Sequence, residues 1–439
     1  MSGVEAADAP AAAGASPQVE DGFVLLGIPD LNGEIRGKAL RPGAFEAALR
    51  EGTVVTDLLL ALDPADQPIT DYERFGIRSG AGDIIVRPEP ETLRELSWRP
   101  GWRICLATPH WLDGSVCELA PREVLRAALE QMRTLGYEVL AAFEYEVRVR
   151  DAEGRPLSSS ISYSLAEVLR FGELIGRLTP ALGALGVELS AAHTEAGPGL
   201  LELNLAPRRG LRSADDAALV KLAVKEVAAS LGLSASFLAK TTAGEEGSSG
   251  HVHLSCWDAQ GGNAFAAGDG PLHAAIAGIL DHLPAASLLL NPTINSYKRL
   301  VPGYFAPVNA SWGVENRSAA VRVIGPERPE RARIECRRPG ADANPYLALA
   351  ALVLAAADGI RRGASPPAPV SGDASAQDGL PALPGSLESA LGAFAADGAL
   401  RAALGEAFSD YYAISRAWEL KAWRNAVSDW ERARYEGAV

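Results

Sequence analysis

Successive side chains of a β-strand face opposite ways, so positions i and i+2 share a face. Five stretches of the chain use that period to set apolar residues against ionisable ones. In residues 139–147, Val139, Ala141, Phe143, Tyr145 and Val147 share one face, and Glu144 and Glu146 share the other. Residues 201–205 oppose three leucines to Glu202 and Asn204. Residues 251–255 gather His251, His253 and Ser255 on one face, and residues 331–337 gather Arg331, Arg333, Glu335 and Arg337. Residues 320–324 offer Arg322. Solvent faces usually mix Lys, Thr and Ser, but Lys is missing from all five polar faces. Taken singly, each is an amphipathic strand with a wet side. Placed in one curved sheet, the five faces line one cleft.

Elsewhere the pattern predicts strands over 23–28, 35–40, 83–88 and 102–107 and a short helix over 43–51. These make a small strand-rich unit ending near Ala120 and Pro121. A helix over 121–135 follows, with Pro121 at its start and Gly136 at its end. Helices and short strands then alternate to about residue 340. Helices dominate the remainder, beginning with a buried Ala/Leu helix over 345–357 that Asp358 interrupts, and a loop covers 363–385. Residues 1–20, poor in large apolar side chains, predict a disordered tail. The expected fold class is α+β. Its expected divisions are the 1–20 tail, a β-rich domain over 21–118 and a larger catalytic domain over 119–439. No internal repeat is visible.

Composition narrows the function. The 439 residues carry 41 Lys+Arg against 55 Asp+Glu, a net charge of −14. That balance argues against nucleic acid or an anionic membrane as the main partner. No uninterrupted apolar run reaches the roughly 18 residues that span a bilayer, and no signal peptide is evident. Cys105, Cys117, Cys256 and Cys336 are scattered with no CxxC pair, which suits structural thiols in a reducing cytoplasm.

The cleft would hold Glu144, Glu146, Glu202 and Glu335, with Glu195 from the preceding loop. Carboxylates packed so closely cannot all ionise unless cations neutralise them. An oxygen-rich set with imidazole suits Mg²⁺ or Mn²⁺. Arginines on the same face would grip phosphate and carboxylate oxygens in forked pairs. Metal, phosphate and carboxylate together point to phosphoryl transfer onto an acid. The GxxxxGK[ST] loop of ordinary P-loop nucleotide sites is absent.

Longer motifs sharpen this. The chain contains Asn295-Ser296-Tyr297-Lys298-Arg299-Leu300-Val301-Pro302-Gly303-Tyr304, then Ala306-Pro307, Asn316-Arg317-Ser318-Ala319, Arg333-Ile334-Glu335 and Asn344-Pro345-Tyr346-Leu347. Together with Glu144-x-Glu146, His193-x-Glu195 to Glu202, the run from Gly247 to His253, and Pro384 to Glu388, it resembles the type I glutamine synthetases over nearly all of its length. The resemblance implies a small β-grasp-like N-terminal domain, a catalytic domain around a curved antiparallel sheet, and homo-oligomeric stacked rings, most often dodecamers, with active sites between neighbours. It implies ATP, two or more divalent ions and L-glutamate as ligands. Glu146, Glu195 and Glu202 would hold one metal and Glu144, His251 and Glu335 the other. Arg299 and Arg337 would bind the glutamate carboxylates, Gly247 would lie against its amino group, and Arg317 would help bind the transferring phosphate. His253, Ser255, Arg322 and Arg333 would contact ATP.

The chain departs from that pattern where the family's flap reads Gly-Tyr-Glu-Ala-Pro: here it reads Gly303-Tyr304-Phe305-Ala306-Pro307. Phe305 cannot take a proton from ammonium; an aromatic ring suits an alkyl or aryl amine, by apolar or cation–π contact. With Trp312-Gly313 nearby, the chain resembles branches that γ-glutamylate polyamines, ethanolamine or other primary amines. Asp57 stands loosely where ammonia-using members carry an aspartate that reaches the neighbouring site. Ser190 and Leu200 replace an ATP-contacting Glu and a Gln, and no tyrosine lies between Tyr346 and Tyr411 to take an adenylyl group. Two alternatives stand beside an amine ligase: an ammonia-using enzyme with an altered flap, and a silent sensor or scaffold. His110, His273 and His282 read as structural, and His193 as a support for Glu195.

Overall fold

The computed structural model describes residues 22–266 and 270–439; the expected N-terminal tail lies outside them. Two sheets organise the chain. The first has strands β1 (Val24–Pro29), β2 (Ile35–Leu40), β3 (Thr53–Thr56), β4 (Asp83–Pro88), β5 (Arg94–Glu95) and β6 (Arg103–His110). Its order is β2-β1-β6-β4-β3, with β5 on β6. β1 and β6 run parallel at its centre, where a strand buried on both faces reads as an apolar run, as Val24-Leu25-Leu26-Gly27-Ile28 does. The helix Pro42–Glu51 buries Phe45 and Ala48.

The second sheet comprises β7 (Glu138–Arg150), β8 (Leu189–Thr194), β9 (Leu200–Leu205), β10 (Arg208–Arg209), β11 (Ser234–Ser236), β12 (Gly250–Trp257), β13 (Trp312–Val314), β14 (Val321–Ile324) and β15 (Arg333–Cys336). Its order is β13-β14-β15-β12-β7-β9-β8, with β10 and β11 also on β7. β7 is the axis. Phe143, Tyr145 and Val147 are buried against the helices, and the residues between them face the open side.

Behind the apolar face lie the helices Leu211–Ser230, Pro271–Leu290 and Pro345–Arg362. The last two cross at glycines. A Cβ on Gly278 would sit 2.1 Å from the Ala355 carbonyl oxygen, and one on Gly359 would sit 2.0 Å from that of Ala274. Only Gly allows this approach, which packs two Ala/Leu-rich surfaces backbone to backbone. Asn344 caps Pro345–Arg362 by accepting from Tyr346 N at 3.0 Å. Its Nδ2 donates to Asp30 O at 2.9 Å, which ties the first sheet's hairpin to the second layer. Arg122 adds a second tie, forked onto Asp215 at 2.9 Å through both Nε and Nη2 and 2.7 Å from Glu89.

Two sequence expectations change. The helix expected over 345–357 continues to Arg362, because Asp358 points outward to Arg362 at 2.7 Å. The longer apolar helix is Pro271–Leu290, 20 residues and by composition able to cross a membrane. His273, Asp281 and His282 hide it from a search for uninterrupted runs. It is buried here between neighbouring helices. His282 bridges Asp397 at 2.6 Å and Asp358 at 3.2 Å, a structural role.

Candidate active site

Strand register assembles the site. Glu144 on β7 lies opposite His251 on β12 and Asn204 on β9. Glu146 lies opposite Glu202, and Glu202 opposite His193 on β8. On the other side His253 lies opposite Glu335, and Glu335 opposite Arg322 on β14. Cross-strand partners share a face, so the five polar faces predicted from the sequence do line one basin. It encloses about 840 Å³.

Two acidic clusters sit in it. His193 Nε2 is 2.9 Å from Glu195 and 3.4 Å from Glu202; these three offer ligand atoms within 4.8 Å of one another. Glu144, His253 and Glu335 form the second such group, and His251 Nδ1 joins it at 3.0 Å from Glu144 and 3.5 Å from Glu335. Asn204 Nδ2 donates to both Glu144 and Glu202 at 2.8 Å, bridging the clusters. Burial, then repulsion from Glu144 and Glu146, pushes Glu202 up to about 9. Burial also opposes ionisation of Glu144, but His251 and His253 outweigh it and hold its carboxyl well below the usual range. For Glu335 burial is outweighed by Arg337, His253 and His251, which bring it to about 2. Of these three carboxyls, Glu202 alone is pushed toward its neutral form. Hard carboxylate oxygens are the donors that Mg²⁺ and Mn²⁺ take.

The arginines surround these clusters. Arg322 Nη1 donates to Glu335 at 3.0 Å, and Arg333 Nε donates to His253 Nδ1 at 3.3 Å. Arg337 donates through Nη1 to Glu335 and through Nε to the Arg317 carbonyl at 2.9 Å, leaving the Arg317 side chain exposed at the rim. Arg299 is buried and spans the Arg338 and Pro339 carbonyls at 2.6 and 3.0 Å; burial lowers it to about 10. Gly247 lies against it, where a Cβ would be 2.3 Å from Arg299 Cγ. Phe305 closes the rim, 64% exposed at φ 51°. It also lines a second cavity of about 610 Å³, shared along Gly303, Ala306 and Arg317.

Three predicted residues sit elsewhere. Ser255 lines an adjoining cavity with His253 and Arg333, where it accepts from Trp257 Nε1 at 3.0 Å. Trp312 is buried on the helix side, its indole N–H bonded to Pro367 O at 2.7 Å. It pairs with core Val321, whereas Gly313 pairs with Arg322, so strand parity turns the indole away from the basin. Asp57 lies buried at the end of β3, accepting from Gly76 N at 3.1 Å, and lines no part of the basin. Two further residues bear on the site. Tyr163 stacks on His193 with centroids 4.2 Å apart, at a φ of 56° that no local pattern announces. Arg148 continues the Glu144–Glu146 face and carried a signal in its parity.

The glutamine synthetase catalytic-domain family matches residues 118–435. Over 435 residues the chain is 34% identical to a glutamate–isopropylamine ligase of a Pseudomonas species, covering 94% of each. It is 36% identical to a gamma-glutamylethanolamide synthetase of Streptomyces coelicolor over 94% of this chain and 92% of that one. A glutamine synthetase of Thermus thermophilus is 33% identical over 94% of this chain and 95% of its own. Among solved structures, ligand-free GmaS superposes with a TM-score of 0.84 at 28% identity, covering 95% of this chain and 97% of that one.

Proposed function

The chain belongs to the glutamine synthetase family, and on that premise we propose that it is an ATP-dependent ligase joining the γ-carboxylate of L-glutamate to a primary organic amine. The observation that carries the choice of acceptor is Phe305. At the rim position where the family resemblance expects a carboxylate, a ring stands between the basin and the 610 Å³ side cavity. Such a ring accepts no proton but offers apolar and cation–π contact to an alkylammonium. The similarity to ligases named for isopropylamine and ethanolamine supports the same reading.

The two acidic clusters suit divalent ions, Mg²⁺ or Mn²⁺: by the family resemblance Glu146, Glu195 and Glu202 would hold one and Glu144, His251 and Glu335 the other, with His193 and His253 within reach of the same clusters. When bound, such ions neutralise the charge of the nucleotide phosphates. His253, Ser255, Arg322 and Arg333 face the ATP side. Arg299 and Arg337 hold the glutamate carboxylates, with Gly247 leaving room for the amino group. A γ-carboxylate oxygen attacks the γ-phosphorus of ATP, and ADP leaves. The amine nitrogen then attacks the acyl carbon of the γ-glutamyl phosphate, inorganic phosphate leaves and the nitrogen loses a proton. Arg317 spreads the charge of the transferring group, a positioning and electrostatic role. No residue is assigned to that proton; Asp57, buried in its own fold, would have to reach the basin from a neighbouring copy in stacked, dodecameric rings. A cytoplasmic setting suits the four free buried thiols.

Phosphate release from ATP, with L-glutamate, Mg²⁺ and a panel of ammonium, isopropylamine, ethanolamine, putrescine and aniline, tests the proposal. Turnover with organic amines above that with ammonium supports it. Preference for ammonium returns the chain to glutamine synthesis, and silence with every acceptor makes it a sensor or scaffold.

A further inference from the structure

Arg148 is the third residue on the face that carries Glu144 and Glu146, yet it is 1% exposed. Its guanidinium is spent on backbone from two separate segments. Nη1 donates to Pro198 O at 2.7 Å, in the turn that follows Glu195. Nη2 donates to Glu246 O, next to Gly247. Glu245 supplies a carboxylate 3.0 Å from Nη1. Gly197 makes room for the group: a Cβ there would stand 2.7 Å from Nη2. β7 is thereby pinned at one point to the turn bearing a metal-cluster carboxylate and to the segment bearing the glutamate contact.

We infer that Arg148 is a positioning residue that sets the Glu195 turn and the Gly247 segment relative to each other, and so couples divalent-ion binding to glutamate binding. The inference rests on the ligase reading for what the two segments bind, but its geometric core does not. A planar fork can bond two carbonyls in fixed directions while it pairs with a carboxylate, whereas an ammonium on a flexible stem holds fewer in fixed directions. Arg148→Lys keeps the charge and loses the fork.

The test uses Arg148→Lys and Glu245→Gln in the full chain. Hydrogen exchange should rise in both 196–199 and 240–249 for Arg148→Lys, but only in 240–249 for Glu245→Gln. Calorimetric Mn²⁺ affinity should fall at least fivefold for Arg148→Lys and stay within twofold for Glu245→Gln. In turnover, the KM for glutamate should rise at least fivefold in both variants, while the KM for ATP stays within twofold. Folded Arg148→Lys with unchanged exchange in either segment, or with all three ligands weakened equally, overturns the inference. Should Arg148→Lys not fold, an unchanged glutamate KM in Glu245→Gln overturns it. A wild-type chain with no glutamate-dependent turnover would instead defeat the ligase reading, and exchange and Mn²⁺ binding would still decide the coupling.

Discussion

Glu146 and Glu202 stand directly opposite each other on β7 and β9, two carboxylates sharing one face of an antiparallel pair. Like charges directly opposite destabilise a sheet, and burial, with repulsion from Glu144 and Glu146 added, pushes Glu202 up to about 9. The expected outcome is that Glu202→Gln melts above wild type in chelator but gains less from added Mg²⁺, since a ligand bound only by the folded state raises stability by mass action. Scanning calorimetry with and without Mg²⁺ checks both halves. A variant that melts lower in chelator and keeps the full Mg²⁺ shift would remove Glu202 from the metal set.

Phe305→Glu restores a carboxylate at the rim. The ring is already solvent-facing, so the change costs little packing. Ammonium should become a better acceptor and the preferred organic amine a worse one. A positioned general base contributes on the order of 10²–10⁴-fold, so kcat/KM for ammonium should rise within that range, measured against the best amine of the panel. Unchanged selectivity would mean that Phe305 does not face the acceptor.

Gly247→Ala tests the glutamate contact by steric means. The new methyl would meet Arg299 Cγ at 2.3 Å and the Ala239 carbonyl oxygen at 2.5 Å, and backbone cannot yield as a side-chain tip can. Overpacking of this kind costs about 1–3 kcal/mol. The KM for glutamate should rise more than tenfold while the KM for ATP holds, because His253 and Arg333 lie toward the far end of the β12–β15 pair, away from Gly247 just before the start of β12. Equal loss for both substrates would place the damage in the fold.

Much of the site was legible because a period of two is enough to find it. Glu144 and Glu146, His251 and His253, and Arg333 and Glu335 each fall on one face by counting alone. Register then brings the faces together, something no single strand encodes. Trp312 shows the limit: its parity against Val321 depends on which strand it pairs with. Arg148 shows another. Counting puts it beside Glu146, but its burial comes from two loops more than 45 residues away in sequence, Pro198 and Glu246. Tyr163 adopts a left-handed backbone that favours Gly or Asn, so nothing in Ser162-Tyr163-Ser164 predicted its stack on His193. Among the larger elements, the helix around His273 and His282 did not stand out as the long apolar one, because burial in a helical layer tolerates His282 once Asp397 and Asp358 receive it.

Asp216, on the helix Leu211–Ser230, offers a pH test away from the basin. Its carboxyl is buried, and its two ion pairs are long, to Arg208 at 3.4 Å and Arg212 at 3.8 Å. Burial dominates and raises it to about 6 despite Arg212 and Arg208, with Asp215 adding to the rise. The unfolded chain has the ordinary value of about 3.9. Between the two values the folded protein holds a proton that the unfolded chain has lost, so stability falls as pH rises through that window. Above it the folded state carries the full cost of a buried charge. Asp216→Asn keeps the shape and removes the titration. It should flatten the decline between about pH 4 and 6 and exceed wild type at neutral pH by on the order of 2 kcal/mol. Urea unfolding of both proteins across that range measures the difference. Parallel pH curves, or a variant weaker at neutral pH, would show that Arg208 and Arg212 already compensate the charge.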